Sequence, residues 1–259
     1  GFQINSTIPI LTPIEYGDYV DMNTCIPSNI LMKDFLSSLM KMFNLYLYED
    51  TLESKFIRIS PYIDFYDINI NHAKDWTYKI DYSKPINIKP LSEINARYYK
   101  FSYKSDSDYY NDLYHKRYNL TYGSFKFDTE YEFANDDKDI DIIFSGTPLV
   151  QYDNNGKVYP TIFKRTGNAG SYIEEPIDSN IRILQAKKIT NVPSWNCGGT
   201  NITHYGYAGH FDSPTNYTSD INFGIQYEYF MNVSNVTSLK PNLFTIFWIP
   251  YMYEIIDQD

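Results

Sequence analysis

Long apolar runs, cationic side chains and cysteine are all scarce in this chain, and each scarcity removes a class of answers. No run approaches the roughly 18 apolar residues of a membrane-spanning helix, so no membrane span is expected. Lys and Arg number 22 against 32 Asp and Glu, a formal charge of −10. A grip on duplex DNA needs clustered cations against phosphates, and so does an anionic membrane surface; neither partner is expected. Two cysteines, Cys25 and Cys197, are too few for a disulfide-stapled scaffold. They read as two free thiols, with a single bridge as the alternative. The start, Gly1-Phe2-Gln3-Ile4-Asn5, has no Met, no basic segment and no apolar signal core. The end, Ile255-Ile256-Asp257-Gln258-Asp259, breaks off just past an apolar segment. Together the two ends suggest an excised or processed piece of a longer polypeptide.

Catalytic motifs are scarce too. There is no Gly-x-Ser-x-Gly elbow and no glycine-rich phosphate loop. Asp106-Ser107-Asp108 with Asp112 alternates carboxylates, but lacks the tight Gly and terminal Glu of a calcium loop and reads as a helix start. The four histidines are His72, His115, His204 and His210. Cys197, His204 and His210 are spaced too widely for a zinc site, whose paired ligands lie about three to five residues apart. Cys197 with the downstream histidines is a weak nucleophile pattern, and Glu174, Glu175 and Glu228 are unremarkable acids. The expectation is therefore no catalysis, no cofactor and no metal.

What is abundant is aromatic. Aromatic residues make up 18% of the 259, and 27 of them are Tyr, which suits half-buried strands and contact surfaces. The organising stretch runs from Ser28 to Ile59. Met32, Phe35, Leu36, Leu39, Met40 and Phe43 recur at the spacing of one helix face, which predicts a helix over 28–43 with that face packed on a sheet. Ser28 or Asn29 would cap it and Asn44 would end it. Leu45–Tyr48 and Phe56–Ile59 then read as a hairpin around Glu49-Asp50-Thr51. Thr7–Ile14 is a strand candidate that Pro9, Pro13 and Pro27 keep at an edge or in a connector.

Tyr62–Asp67 ends the first sheet run. Trp76–Asp81, Ala96–Lys104, Phe125–Phe133 and Ile140–Phe144 alternate as strands, and Ser107–Arg117 reads as a short helix. Asp153-Asn154-Asn155-Gly156 is a turn signal, and a soft domain boundary falls at 148–158. It separates a β-rich domain, 1–150, from a Gly-, Asn- and Pro-rich β region, 151–259. In the latter, Tyr159–Lys164, Asn180–Leu184 and Thr200–Tyr207 are strand candidates. A closing helix is expected over Asn242–Ile256, kinked at Pro250. The fold class is α+β and β-rich. Asn-x-Ser/Thr sequons at Asn5, Asn119, Asn201, Asn216, Asn232 and Asn235 are weak support for secretion.

In the second half, Asn180-Ile181-Arg182-Ile183-Leu184, Tyr207-Ala208-Gly209-His210-Phe211-Asp212-Ser213-Pro214, Ser219-Asp220-Ile221-Asn222-Phe223-Gly224 and Leu243-Phe244 through Trp248 to Glu254-Ile255 form one set of stretches. In the first half, Leu31 to Phe43 with its hairpin, Asp75–Asp81, Asp106–Asn111 and Tyr122-Gly123 form another. Together they resemble tail proteins of tailed bacteriophages, in particular those of phages of gut Bacteroidales, the crAss-like group and its relatives. The resemblance implies a structural virion protein, a segment of a baseplate or tail hub with tube-like β domains around a channel. It implies assembly in the host cytoplasm, other tail proteins as partners, and a homo-oligomer, trimer or hexamer. It offers no active site, and DNA would pass the channel without specific binding. An acidic lumen would repel it. The rival is a secreted or virion-surface β-module that binds glycans or a receptor through Trp195, Tyr205, Tyr207, Phe211 and Tyr217. A wall-degrading enzyme attached to a tail is the third reading.

Overall fold

In the computed structural model the described residues are 29–50, 52–66, 74–85, 87, 96–134, 136–151, 158–168, 170–197, 199–214, 217–231 and 241–256. The Thr7–Ile14 strand, Ser28, Cys25, His72, the Asp153–Gly156 turn and the sequons at Asn5, Asn216, Asn232 and Asn235 lie outside them. Helix α1 spans Met32–Phe43 and ends, as its sequence predicts, on a left-handed Asn44. It starts later than expected, so the capping position falls on Leu31. That side chain cannot accept a hydrogen bond, and the Leu31 carbonyl takes the Asp34 and Phe35 N–H groups instead. Strands β1, Leu45–Glu49, and β2, Ile57–Pro61, form the expected antiparallel hairpin.

The buried arc of α1 is rotated from the expected stripe. Ser38 and Met42 are buried and Phe35, Leu39 and Phe43 pack on the main core, while Met32 is 80% exposed and Leu36 lies in the exposed row. The cause is a sheet edge. Strands β3, Tyr98–Lys104, β4, Phe125–Asp128, and β5, Asp137–Ser145, form a sheet ordered β4-β3-β5, with β3 antiparallel to β4 and parallel to β5. β5 is therefore an edge, and a helix lying along it satisfies its open backbone groups. Ser38 Oγ accepts the Ile143 N–H at 3.1 Å and Lys41 Nζ donates to the Asp141 carbonyl at 2.9 Å. A buried Ser thus turns inward at a place where the apolar pattern gives no sign of it.

β3 alternates as a half-buried strand should, sending Tyr99, Phe101 and Tyr103 into the core. The chain's end closes over them. A π-type turn, Phe244–Trp248, runs without a break into an α-helix, Ile249–Ile256, and Pro250, which has no N–H to donate, falls at the junction of the two. Phe101 meets Trp248 at 4.9 Å and Phe244 at 5.5 Å between ring centroids, both edge-on. Asn44 Nδ2 donates to the Phe247 carbonyl at 3.0 Å and Trp248 Nε1 to the Lys41 carbonyl at 3.1 Å, tying α1 to this closing segment.

Other expectations are corrected. Tyr62–Phe65 is a one-turn helix, α2, and Trp76–Asp81 is a 3₁₀ turn, Thr77–Lys79, rather than a strand. The long strand Phe125–Phe133 stops at Asp128, where the carboxylate accepts the Glu130 N–H and Glu130 turns left-handed at φ 60°. Asn180–Leu184 is irregular: the Ile181 carbonyl accepts the Ser145 N–H, the Asn180 N–H donates to Asp106, and the Asn180 and Arg182 side chains bond to Ser105, Asp106 and Asp108. The predicted helix is present as α3, Tyr109–Tyr118. Small antiparallel hairpins follow. Strands β6 (Leu149–Gln151) and β7 (Val158–Pro160) pair, as do β8 (Lys164–Asn168) and β9 (Ser171–Glu175). So do β10 (Gln185–Ile189) with β13 (Tyr205–Gly209), and β11 (Trp195–Cys197) with β12 (Thr200–Ile202). The β6–β7 hairpin spans the expected domain boundary, and Phe223, Phe244 and Trp248 from beyond it share the core of β3 and β5. The class is α+β and strand-rich; every sheet among the described residues is small and open. Among the described residues no helix is long and apolar enough to cross a membrane.

Candidate functional site

Two features stand apart from ordinary packing: a polar network inside and an apolar surface outside. The network begins at Arg182, a lone cation in the run Ile181-Arg182-Ile183-Leu184. It is buried, and its guanidinium donates to Asp106 Oδ2 at 2.6 Å and Asp108 Oδ1 at 2.7 Å. Its other arm reaches the Gly146 carbonyl and Thr147 Oγ1. Asn111 Nδ2 joins the same two anchors, Asp108 Oδ1 at 2.7 Å and the Gly146 carbonyl at 2.8 Å. Thr147 N–H then donates to His210 Nε2 at 3.1 Å. With Nε2 accepting, the ring proton sits on Nδ1, which donates to Asn222 Oδ1 at 2.6 Å. Asn222 passes its backbone N–H and Nδ2 to Asp220 Oδ1, each at 2.8 Å.

Burial sets the charge states at the far end. It pushes the His210 pKa down from 6.5 to about 4, with the Arg182 charge adding and the Asn222 bond opposing. It pushes the Asp220 carboxyl up from 3.8 to about 7, against the two Asn222 donors. Both groups are thus held neutral near pH 6. His210 and Asn222 are 0% exposed, so this end of the chain of bonds is shut from solvent, while Asp106 and Asn111 at the other end border a cleft; the whole clamps segments far apart in sequence onto one another.

The residues singled out in the sequence are distributed as follows. Tyr207, Phe211 and Tyr217 are buried in a second core with Leu149 and Val158, and Phe211 lies 4.2 Å from Tyr217. Tyr205 packs against that core, and half-buried Trp195 donates Nε1 to the His204 carbonyl at 3.1 Å. The structure brings four of the five rings together, but turned inward, with no free stacking face on the buried three. Asp106 and Asp108 belong to Arg182, and Asp112 pairs with Lys116. Asp108 precedes α3 without capping it by its side chain. Glu174 pairs with Arg165 and Glu228 with Arg117, and His115 and His204 are exposed. Among the described residues no three His, Cys, Asp or Glu side chains gather as a metal site would require. The network itself escapes sequence reasoning except for one signal, the charge in an apolar run at Arg182.

The outer feature is the β1–β2 hairpin. Its register puts Tyr46 and Tyr48 on one face, where they pack on Tyr62, Phe65 and Tyr66. Leu47, Ile57 and Ile59 occupy the other face, and it is uncovered: Ile57 is 63% exposed and Ile59 50%. Asp50 fixes the turn by accepting the Leu52 N–H at 2.7 Å and pairing with Arg58. Beside it lies a shallow cleft of about 500 Å³ lined by Leu47, Tyr48, Glu49, Lys55 and Ile57. Residues 74–85 are exposed throughout. No family model, no curated protein and no solved structure matches this chain.

Proposed function

We propose that this chain is a structural subunit of a bacteriophage tail, a segment of the hub or baseplate that surrounds the tail channel. The observation that carries the structural role is the uncovered Leu47/Ile57/Ile59 face on a two-stranded hairpin. Two strands with one bare apolar face are marginal by themselves and are completed by a further layer. The other small sheets likewise keep open edges, the template on which another chain can pair. The tube-like β domain expected of such proteins is then a property of the assembly, a trimer or hexamer closed by head-to-tail contacts. The net charge of −10 suits a channel that DNA traverses without sticking. The phage context rests on the sequence resemblance. The rival sugar-binding role loses the support of Tyr207, Phe211 and Tyr217, whose rings are core. The test is electron microscopy of intact particles labelled with antibody against this segment. Label at the tail is expected; label along fibres or on the capsid, with none at the tail, overturns the proposal.

A further inference from the structure

His210 accepts at one ring nitrogen and donates at the other, and its setting has no place for a second proton. Nε2 takes the Thr147 backbone N–H at 3.1 Å, and Nδ1 lies 2.6 Å from Asn222 Oδ1. A backbone N–H can only donate, so a proton arriving on Nε2 faces another donor and the bond is lost. Water does not reach the ring, which is 0% exposed. Among the described residues no anion stands against it. Tyr103 of β3 lies 5.3 Å away and Tyr122 5.9 Å, ring to ring, and burial pushes both phenols well above 10. Arg182 reaches Thr147 Oγ1 at 3.4 Å and presents a like charge. Asp212, beyond Phe211, has its carboxylate engaged by Thr218 and Ser219. Asp220 lies behind Asn222, and burial raises its carboxyl to about 7, so it keeps its own proton in weak acid. An imidazolium here would be buried without an acceptor at Nε2 or a counter-charge.

The bond also closes at a telling place. Gly146 and Thr147 join β5 to β6. The Gly146 carbonyl is held separately, by Arg182 and by Asn111 Nδ2. Beyond Thr147, Leu149 of β6 and Val158 of β7 enter the second core. A break at the Thr147 N–H thus leaves Gly146 pinned as a pivot and loosens the hairpin that follows. We propose that the Thr147–His210 bond is an acid-operated latch: a proton on His210 Nε2 releases Thr147 and the β6–β7 hairpin behind it, while the β4-β3-β5 sheet stays folded. Asp220 lies on the opposite, Nδ1 side of the ring, past Asn222, and stays buried when the Nε2 side opens. That asymmetry gives the latch its own pH signature. Burial lowers the His210 pKa from 6.5 to about 4, so its contribution to closure is present above 6.5 and is lost as pH falls through about 4. Global unfolding also takes the proton from Asp220, whose dependence has the opposite sign, and over that interval the two cancel. The latch is independent of the assembly proposed above.

The test is amide hydrogen exchange on the parent chain between about pH 6.5 and 4.5, read as protection factors at Thr147 and Phe101. The Thr147 protection factor should fall by about tenfold per pH unit as the pH drops. Phe101, between β4 and β5, opens only with the sheet and should lack that dependence. Asp220→Asn removes the opposing carboxyl, so Phe101 should then acquire the slope that Thr147 already has. His210→Gln supplies an acceptor that takes no proton, and should flatten the Thr147 slope. If that variant does not fold, the parent chain and Asp220→Asn decide the matter. A Thr147 protection factor that stays constant over the interval, or falls in parallel with that of Phe101 in the parent chain, overturns the latch. So does a Thr147 slope that survives in folded His210→Gln.

Discussion

The surroundings of Phe101 and of Ile57 differ in nearly every respect, although each lies on a strand of a small sheet. Phe101 is covered on one side by Phe223 and on another by Phe244 and Trp248, and its strand is flanked by β4 and β5. The edge that β5 leaves is closed by Ser38 and Lys41. Ile57 lies on a strand with one partner among the described residues, on an apolar face where it is 63% exposed. The first region is complete within the chain and holds the fold. The second leaves an apolar face exposed, and the function proposed above would complete it with another molecule. The division of labour is sharp enough that variants in the two regions should move different observables.

The largest effects belong inside. Phe101→Ala should cost about 3–5 kcal/mol of unfolding free energy in urea, through lost transfer and an unfilled cavity. Arg182→Leu should cost a similar amount, about 3–5 kcal/mol, because it leaves two buried carboxylates without their cation. A loss below about 1 kcal/mol at Arg182 would place the network outside the cooperative core.

A subtler probe of the interior is its pH dependence. The stability linked to protonated Asp220 is fully present below its unfolded value of 3.8 and is lost as pH rises through about 7. For His210 the sign is opposite: its contribution is present above 6.5 and is lost as pH falls through about 4. Between those limits the folded state holds a proton on Asp220 that the unfolded chain lacks, and lacks one on His210 that the unfolded chain holds. The two slopes oppose each other. Relative to the parent chain, Asp220→Asn should therefore become more stable as pH rises from about 4 to 6.5, by up to about 1.4 kcal/mol per unit. His210→Gln should show the reverse slope over the same interval in the same denaturation series.

The smallest effects separate the two sides of α1. Leu39→Ala, on the inner arc, should cost at least about 2 kcal/mol. Met32→Ala, on the outer row, should stay within about 0.5 kcal/mol. Equal losses at the two positions would mean that the helix sits on the sheet as the apolar spacing alone suggests.

That spacing shows how far the sequence is legible here. The ends of α1 near Phe43 and Asn44, the hairpin, β3 and α3 all follow from local period and turn chemistry, because each is decided within a few residues. The rotation of α1 is not, since it depends on a Ser38–Ile143 bond across 105 positions. Nor is the polar network, whose Arg182–Asp108 and Thr147–His210 bonds span 74 and 63 positions. The aromatic tract from Tyr205 to Tyr217 reads equally well as surface or core until its neighbours are known. At Trp76–Tyr82 the pattern is that of a strand, and among the described residues no strand pairs with it.

The most direct measurement of the contrast is native mass against concentration for the parent chain and for Ile59→Asp. Ile59 is exposed, so the substitution leaves the interior, and the thermal midpoint, unchanged. The parent chain should form closed multiples of 30.4 kDa, three or six copies, while Ile59→Asp stays at 30.4 kDa under the same conditions. Identical assembly of the two, or a 30.4 kDa species for both at every concentration, would contradict the claim that this face is finished by another copy.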